Sequence, residues 1–133
     1  MWRNPRLNAL VWWVLALPGC TPQSGCDRLG GSPMLEYQLF FGRSNVSDQQ
    51  WTEFAAKVVT PNLPDGFTAF DADGQWMNPN THGLSRERTK VVIVAVPNAS
   101  VAATAIARIK DEYRQRFAQI SVGTVVHPVC GAF

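Results

Sequence analysis

An α+β domain with its elements in the order strand, helix, strand, strand, helix, strand is what this sequence predicts, on three observations. One segment alternates apolar and polar residues with the period of a strand, two segments repeat apolar residues with the period of a helix, and one run is apolar on both faces. The alternating segment is "MLEYQLFF", where Leu35, Tyr37, Leu39 and Phe41 interleave with Glu36 and Gln38. Phe40 breaks the alternation on the polar face, and Gly42 ends the strand.

"SDQQWTEFAAKVV" opens with Ser47 three residues before Gln50, the spacing of a capping box, and Asp48 places negative charge in the first turn. Trp51, Phe54, Ala55 and Val58 recur at helical spacing, and Pro61 predicts an end near Thr60 because the residue before proline disfavours the helical conformation. "PNLPDG" connects to a short strand "FTAF", and Asp73 and Gly74 of "DADG" carry hairpin-turn chemistry. After the loop "MNPNTHGLS", the strand "RTKVVIVAV" is apolar on both faces from Val91 to Val96, which predicts a central strand covered on both sides. Asn98 or Ser100 caps a second helix, buried along Ala102, Ile106, Ile109, Tyr113 and Phe117, and a last strand runs from about Ile120 to Val129. This order is the split βαβ of a ferredoxin-like sandwich (βαββαβ): a four-stranded antiparallel sheet with two helices on one face and no implied iron–sulfur cluster.

The first nineteen residues read differently. Arg3 and Arg6 precede the apolar run "LNALVWWVLAL", too short for a bilayer span of roughly 20 residues and suited to a cleaved leader. Leu17, Pro18, Gly19 and Cys20 resemble a bacterial lipobox, although Pro18 departs from the usual small or β-branched residue. That resemblance implies a lipid on the Cys20 sulfur and an anchor of two or three acyl chains. Ordinary secretion with Cys20 as a plain thiol is the alternative. The expected division is a leader over 1–19, a flexible Gly/Ser/Pro-rich tether over 20–33, and one domain over 34–133.

With the leader's two arginines set aside, ten basic residues balance ten acidic ones, so no nucleic-acid footprint is expected. The remaining cysteines, Cys26 and Cys130, are predicted to form a disulfide in an oxidising compartment. The predicted topology supports the pairing, because the last strand lies antiparallel beside the first.

From Tyr37 onward, "LFFGR", the Trp51 and Phe54 pair, "VTPNLPDGFTAFDADGQW", "RERTKVVIVAV" and "YRQRFAQISV" resemble in order and spacing one bacterial family. It is the family catalogued as domain of unknown function 3574, whose members often carry lipoprotein leaders. The resemblance implies no activity, cofactor or catalytic residue.

Chemistry read from the residues is sparse. Asp65, Asp71 and Asp73 lack the ligand spacing of an EF-hand calcium loop, and His82 and His127 lack metal-ligand spacing to other groups. No metal and no cofactor is expected. His127, before Pro128, reads as a satisfied strand histidine rather than a general base, since no nucleophile is assignable beside it. Arg43, Arg86 and Arg88, with Tyr37 and Trp76, form the candidate ligand site, an anion or carboxylate being the expected ligand. Against it stands the simpler expectation that these arginines pair with Glu36 or Glu87, or stack on aromatics.

The sheet face away from the helices is expected to expose Phe40, alternate residues of "VVIVAV" and Val125, a surface for a second copy, an envelope protein or a ligand. The expected function is a lipid-anchored envelope protein with a small binding or structural domain. Thr21 after the cysteine, in place of an inner-membrane aspartate signal, favours the outer membrane facing the periplasm. The alternative is a secreted small-molecule-binding protein or enzyme of the dimeric ferredoxin-like type.

Overall fold

The computed structural model describes residues 25–97 and 99–133. Strand β1 (Ser32–Gly42) leads into helix α1, built from an α-helical run Asp48–Phe54, a π-helical run Ala55–Val59 and a final α-helical run Thr60–Asn62. Strands β2 (Thr68–Met77) and β3 (Leu84–Val96) follow, then helix α2 (Ala99–Phe117) and strand β4 (Gly123–Gly131). The sheet order is β2-β3-β1-β4, and each pair is antiparallel. This is the ferredoxin-like arrangement that the sequence predicts.

The core lies between the helices and one sheet face. Odd-numbered β1 residues point into it: Leu39 and Phe41 are fully buried and Tyr37 nearly so. They meet Trp51, Phe54, Val58 and Val59 of α1, and Ala102, Ile106, Ile109, Tyr113 and Phe117 of α2. The α2 stripe is the one its period predicts. At the centre, Tyr113 sits edge-on to Phe41 and Phe54, with ring centroids 4.8 and 5.1 Å apart. Its hydroxyl donates to the Gly42 carbonyl at 2.8 Å, so the one polar atom of a buried ring is paired.

Burial pushes the Tyr113 phenol up to about 12, with the Arg43 charge opposing and the Glu87 charge adding to the rise. The folded pKa lies above the ordinary value of 10.0. The folded state therefore holds this proton more tightly, and that contribution to stability is complete below pH 10.0 and lost as pH rises towards about 12. An ultraviolet titration is expected to show Tyr113 ionising near 12 in the folded protein and near 10.0 in urea. Coincident curves in the two conditions would refute this.

Four expectations need correction. Helix α1 does not stop before Pro61: Thr60 is helical (φ −56°, ψ −47°), and its N–H reaches back five residues to the Ala55 carbonyl. The π-helical run shifts the hydrogen-bond register, and the helix continues through proline to Asn62. "DADG" is no turn either. Asp71–Gly74 lies inside β2, where Asp71 faces Lys90 and Asp73 faces Arg88 in register. Opposite charges directly across an antiparallel pair offset the poor strand preference of aspartate. The reversal falls instead at 78–83, where the Asn78 side chain accepts from the Asn80 and Thr81 backbone and His82 adopts a φ of 52°.

The third correction concerns the expected tether. Asp27–Leu29 is a 3-10 turn and β1 begins at Ser32, while residues before 25 lie outside those described. Gly31 is required there, since a Cβ would come within 2.8 Å of the Gly131 carbonyl oxygen. The fourth concerns β3, which is covered by helices on one side only. On the other, Val91 is buried through its in-register neighbours Phe40 and Phe70.

The capping box is present, with Gln50 N–H donating to Ser47 Oγ at 3.2 Å and Ser47 N–H to Gln50 Oε1 at 2.9 Å. Of the two proposed caps of α2, Asn98 lies outside the described residues. Cys26 and Cys130 are joined, with a Cα–Cα distance of 5.2 Å and a sequence separation of 104. No described helix is long and apolar enough to cross a membrane.

Candidate ligand groove on the open sheet face

The five residues of the expected ligand site are divided between the two faces of the sheet. Side chains alternate along each strand, so the register decides which share a face. Arg43, Arg86 and Arg88 fall on the helix side, in step with Phe41, Lys90 and Val92. Tyr37 is on that side too, but six residues along β1 from Arg43 and inside the core. Trp76 is on the opposite face, 46% exposed.

Arg43 is a strut between elements. Its side chain is fully buried, donating to Asp48 at the start of α1, to Asp71 Oδ1 on β2 at 3.1 Å, and to the Val46 carbonyl at 3.3 Å. Arg88 shares Asp48 Oδ1 at 3.1 Å, and Lys90 holds Asp71 Oδ1 at 2.8 Å. The hydrogen bond from Arg43, reinforced by Arg88, lowers the Asp48 carboxyl, and Lys90 chiefly does the same for Asp71. The arginines pair with these aspartates, not with Glu36 or Glu87 as the simpler expectation had it. Glu36 Oε1 instead lies 3.2 Å from His127 Nε2. Arg86 Nε donates to Gln75 Oε1 at 2.9 Å. With its guanidinium engaged by two carboxylates, Arg43 holds α1 and β2 together and presents no free fork to a ligand.

The concave surface lies on the other face. Across the strands, one row runs Phe70, Val91, Phe40, Gly123, and the next runs Ala72, Thr89, Gly42. Gly74 and Glu87 follow. The second row carries almost no side-chain bulk, so the sheet dips between Phe40 and Trp76. The segment Ala118–Ser121, entered through Ala118 at a φ of 51°, bounds the dip at the end of β1. The result is an open groove of about 760 Å³. Glu87 hangs over Gly42, where a Cβ would meet its Oε1 at 2.6 Å. Ser44 N–H donates to that oxygen at 3.1 Å, and Ser44 Oγ contacts it as well.

Sequence reasoning placed Phe40 on the open face but grouped Trp76 with the arginines, and it did not single out Glu87, Ser44 or Thr89 as groove residues. The available signal was the small-residue spacing of Gly42, Ala72 and Gly74, which gains meaning only once the register is fixed. Among the described residues, no cluster of three or more His, Cys, Asp or Glu is placed to hold a metal ion.

Fold and groove together define a small α+β protein of ferredoxin-like build with one bare sheet face. The chain belongs to the family described as "Protein of unknown function (DUF3574)", whose model matches residues 36–133. Among curated proteins none matches it. Similar solved structures include a phage SAM lyase in complex with S-methyl-5'-thioadenosine, with a TM-score of 0.55 and 12% identity over 74% of this chain and 90% of that one. Its apo state gives 0.51 and 11%, over 76% and 92%. At these identities the likeness is one of fold.

Proposed function

We propose that this chain is a lipid-anchored protein of the bacterial cell envelope, at the outer membrane facing the periplasm, whose domain is a small binding module. The carrying observation is the disulfide between Cys26 and Cys130, which fastens the two ends of the domain together. Such bonds persist in oxidising compartments, where a leader of the kind in residues 1–19 delivers its cargo. Cys26 follows Cys20 so closely that an extended link spans at most about 20 Å. The domain then rides near the bilayer surface. The open groove supplies the binding part of the reading.

Replacing Cys20 with alanine is the test. The parent is expected to fractionate with membranes and to carry a diacylglyceryl mass on its N-terminal peptide, while the C20A variant loses both. Membrane attachment that survives in C20A, with no lipid mass on the parent, would end the proposal.

The second reading, a secreted small-molecule-binding protein or enzyme of the dimeric ferredoxin-like type, is favoured by the size of the groove. S-methyl-5'-thioadenosine, the compound held by the similar phage lyase, is the first to titrate. Unmoved amide resonances at Gly42 and Thr89 at saturating compound would remove that choice.

A further inference from the structure

The geometry points to a ligand class for the groove: a small organic cation whose planar ring lies on the floor of Ala72 and Gly74, with its positive group against the Glu87 carboxylate that covers Gly42. This rests on the reading of the domain as a binding module, and owes nothing to the anchor.

Charge is the first argument. Glu87 is the charged residue whose side chain faces the groove, Asp73 being turned to the helix side opposite Arg88, and no lysine or arginine lines it. On the far side of the sheet, Arg43, Arg88 and Lys90 are held by Asp48 and Asp71, and Arg86 donates to Gln75. The groove therefore presents the Glu87 carboxylate with no cation on its own face, which favours a cationic ligand there.

Shape is the second. Beside Glu87 the floor offers Ala72 and Gly74, so a flat group approaches the backbone closely. Phe40 and Trp76 stand at its two ends, 37% and 46% exposed, and supply aromatic surface to a ring and its charge. Both Ser44 contacts go to Glu87 Oε1. That pins the carboxylate directly over Gly42, where both of its oxygens lie within 2.7 Å of the place a Cβ would take. A carboxylate fixed before the ligand arrives loses little entropy on binding.

Benzamidine and its neutral counterpart benzamide, nearly identical in shape, separate charge from shape. Each is titrated into the purified full chain while backbone amide resonances are followed. Benzamidine is expected to move Gly42, Gly74 and Thr89 saturably, and to bind roughly tenfold more tightly than benzamide, as a charge-assisted hydrogen bond implies. Glu87→Gln keeps the Oε1 acceptor for Ser44 and is expected to abolish that preference with the remaining spectrum unchanged. Trp76→Ala, at an exposed position, is expected to weaken both compounds. Equal binding of the two compounds to the parent, shifts confined to other residues, or a preference that survives in Glu87→Gln would overturn the inference. None of these outcomes bears on membrane attachment, so the two proposals fail separately.

Discussion

Replacing Phe54 by alanine is expected to destabilise the protein by about 3–5 kcal/mol, a large part of the roughly 5–15 kcal/mol that holds a domain folded. The side chain is fully buried, with ring centroids 5.1 Å from Tyr113, 5.8 Å from Phe117, 6.0 Å from Trp51 and 6.2 Å from Phe41. It is where α1, α2 and β1 meet. Rings in such a cluster cannot collapse into the vacated volume without giving up their edge-to-face contacts, so both the transfer and the cavity contributions are felt. Urea unfolding of the parent and of F54A, with equal slopes, is the measurement. Phe70→Ala on the open face provides the comparison, because that ring is 45% exposed and its loss is expected to matter far less. Equal losses from the two substitutions would mean that the core is not where we place it.

Removing the Cys26–Cys130 bond ranks next. With the cysteines 104 positions apart in sequence, the loop-entropy model assigns it about 4–5 kcal/mol, at the upper end of what native disulfides contribute. Paired replacement by serine is expected to lower the urea midpoint accordingly. It is also expected to speed amide exchange at Met34 and Val129, the β1–β4 pair next to Pro33 and Cys130. Unchanged midpoints with and without reductant would show that the ends are held by the sheet alone.

Much of this fold is legible in the sequence because local and long-range signals agree. The α2 stripe from Ala102 to Phe117, the Ser47 and Gln50 cap, and the alternation of β1 each follow from a period or a spacing that packing then uses. What escapes is what only register decides. Asp71 and Asp73 look like turn residues until Lys90 and Arg88 are found opposite them, and Pro61 looks like a stop until the π-helical run accommodates it. The site is less legible still. Arg43 and Trp76 are both exceptional residues for their positions, yet strand alternation sends one to the helices and the other to the open face. Glu87 gives no sign by itself. Its placement over Gly42 depends on a pairing between strands more than forty residues apart.

The direction of β1 has a practical consequence for anyone who attaches this protein to a support. The strand starts at Ser32, beside the joined cysteines, and reaches Gly42 at the groove, ten steps or about 33 Å further on. A biotin or bead coupled ahead of Cys26 therefore grips the molecule by the end opposite its concave surface, leaving that surface facing the solution for immobilised screening.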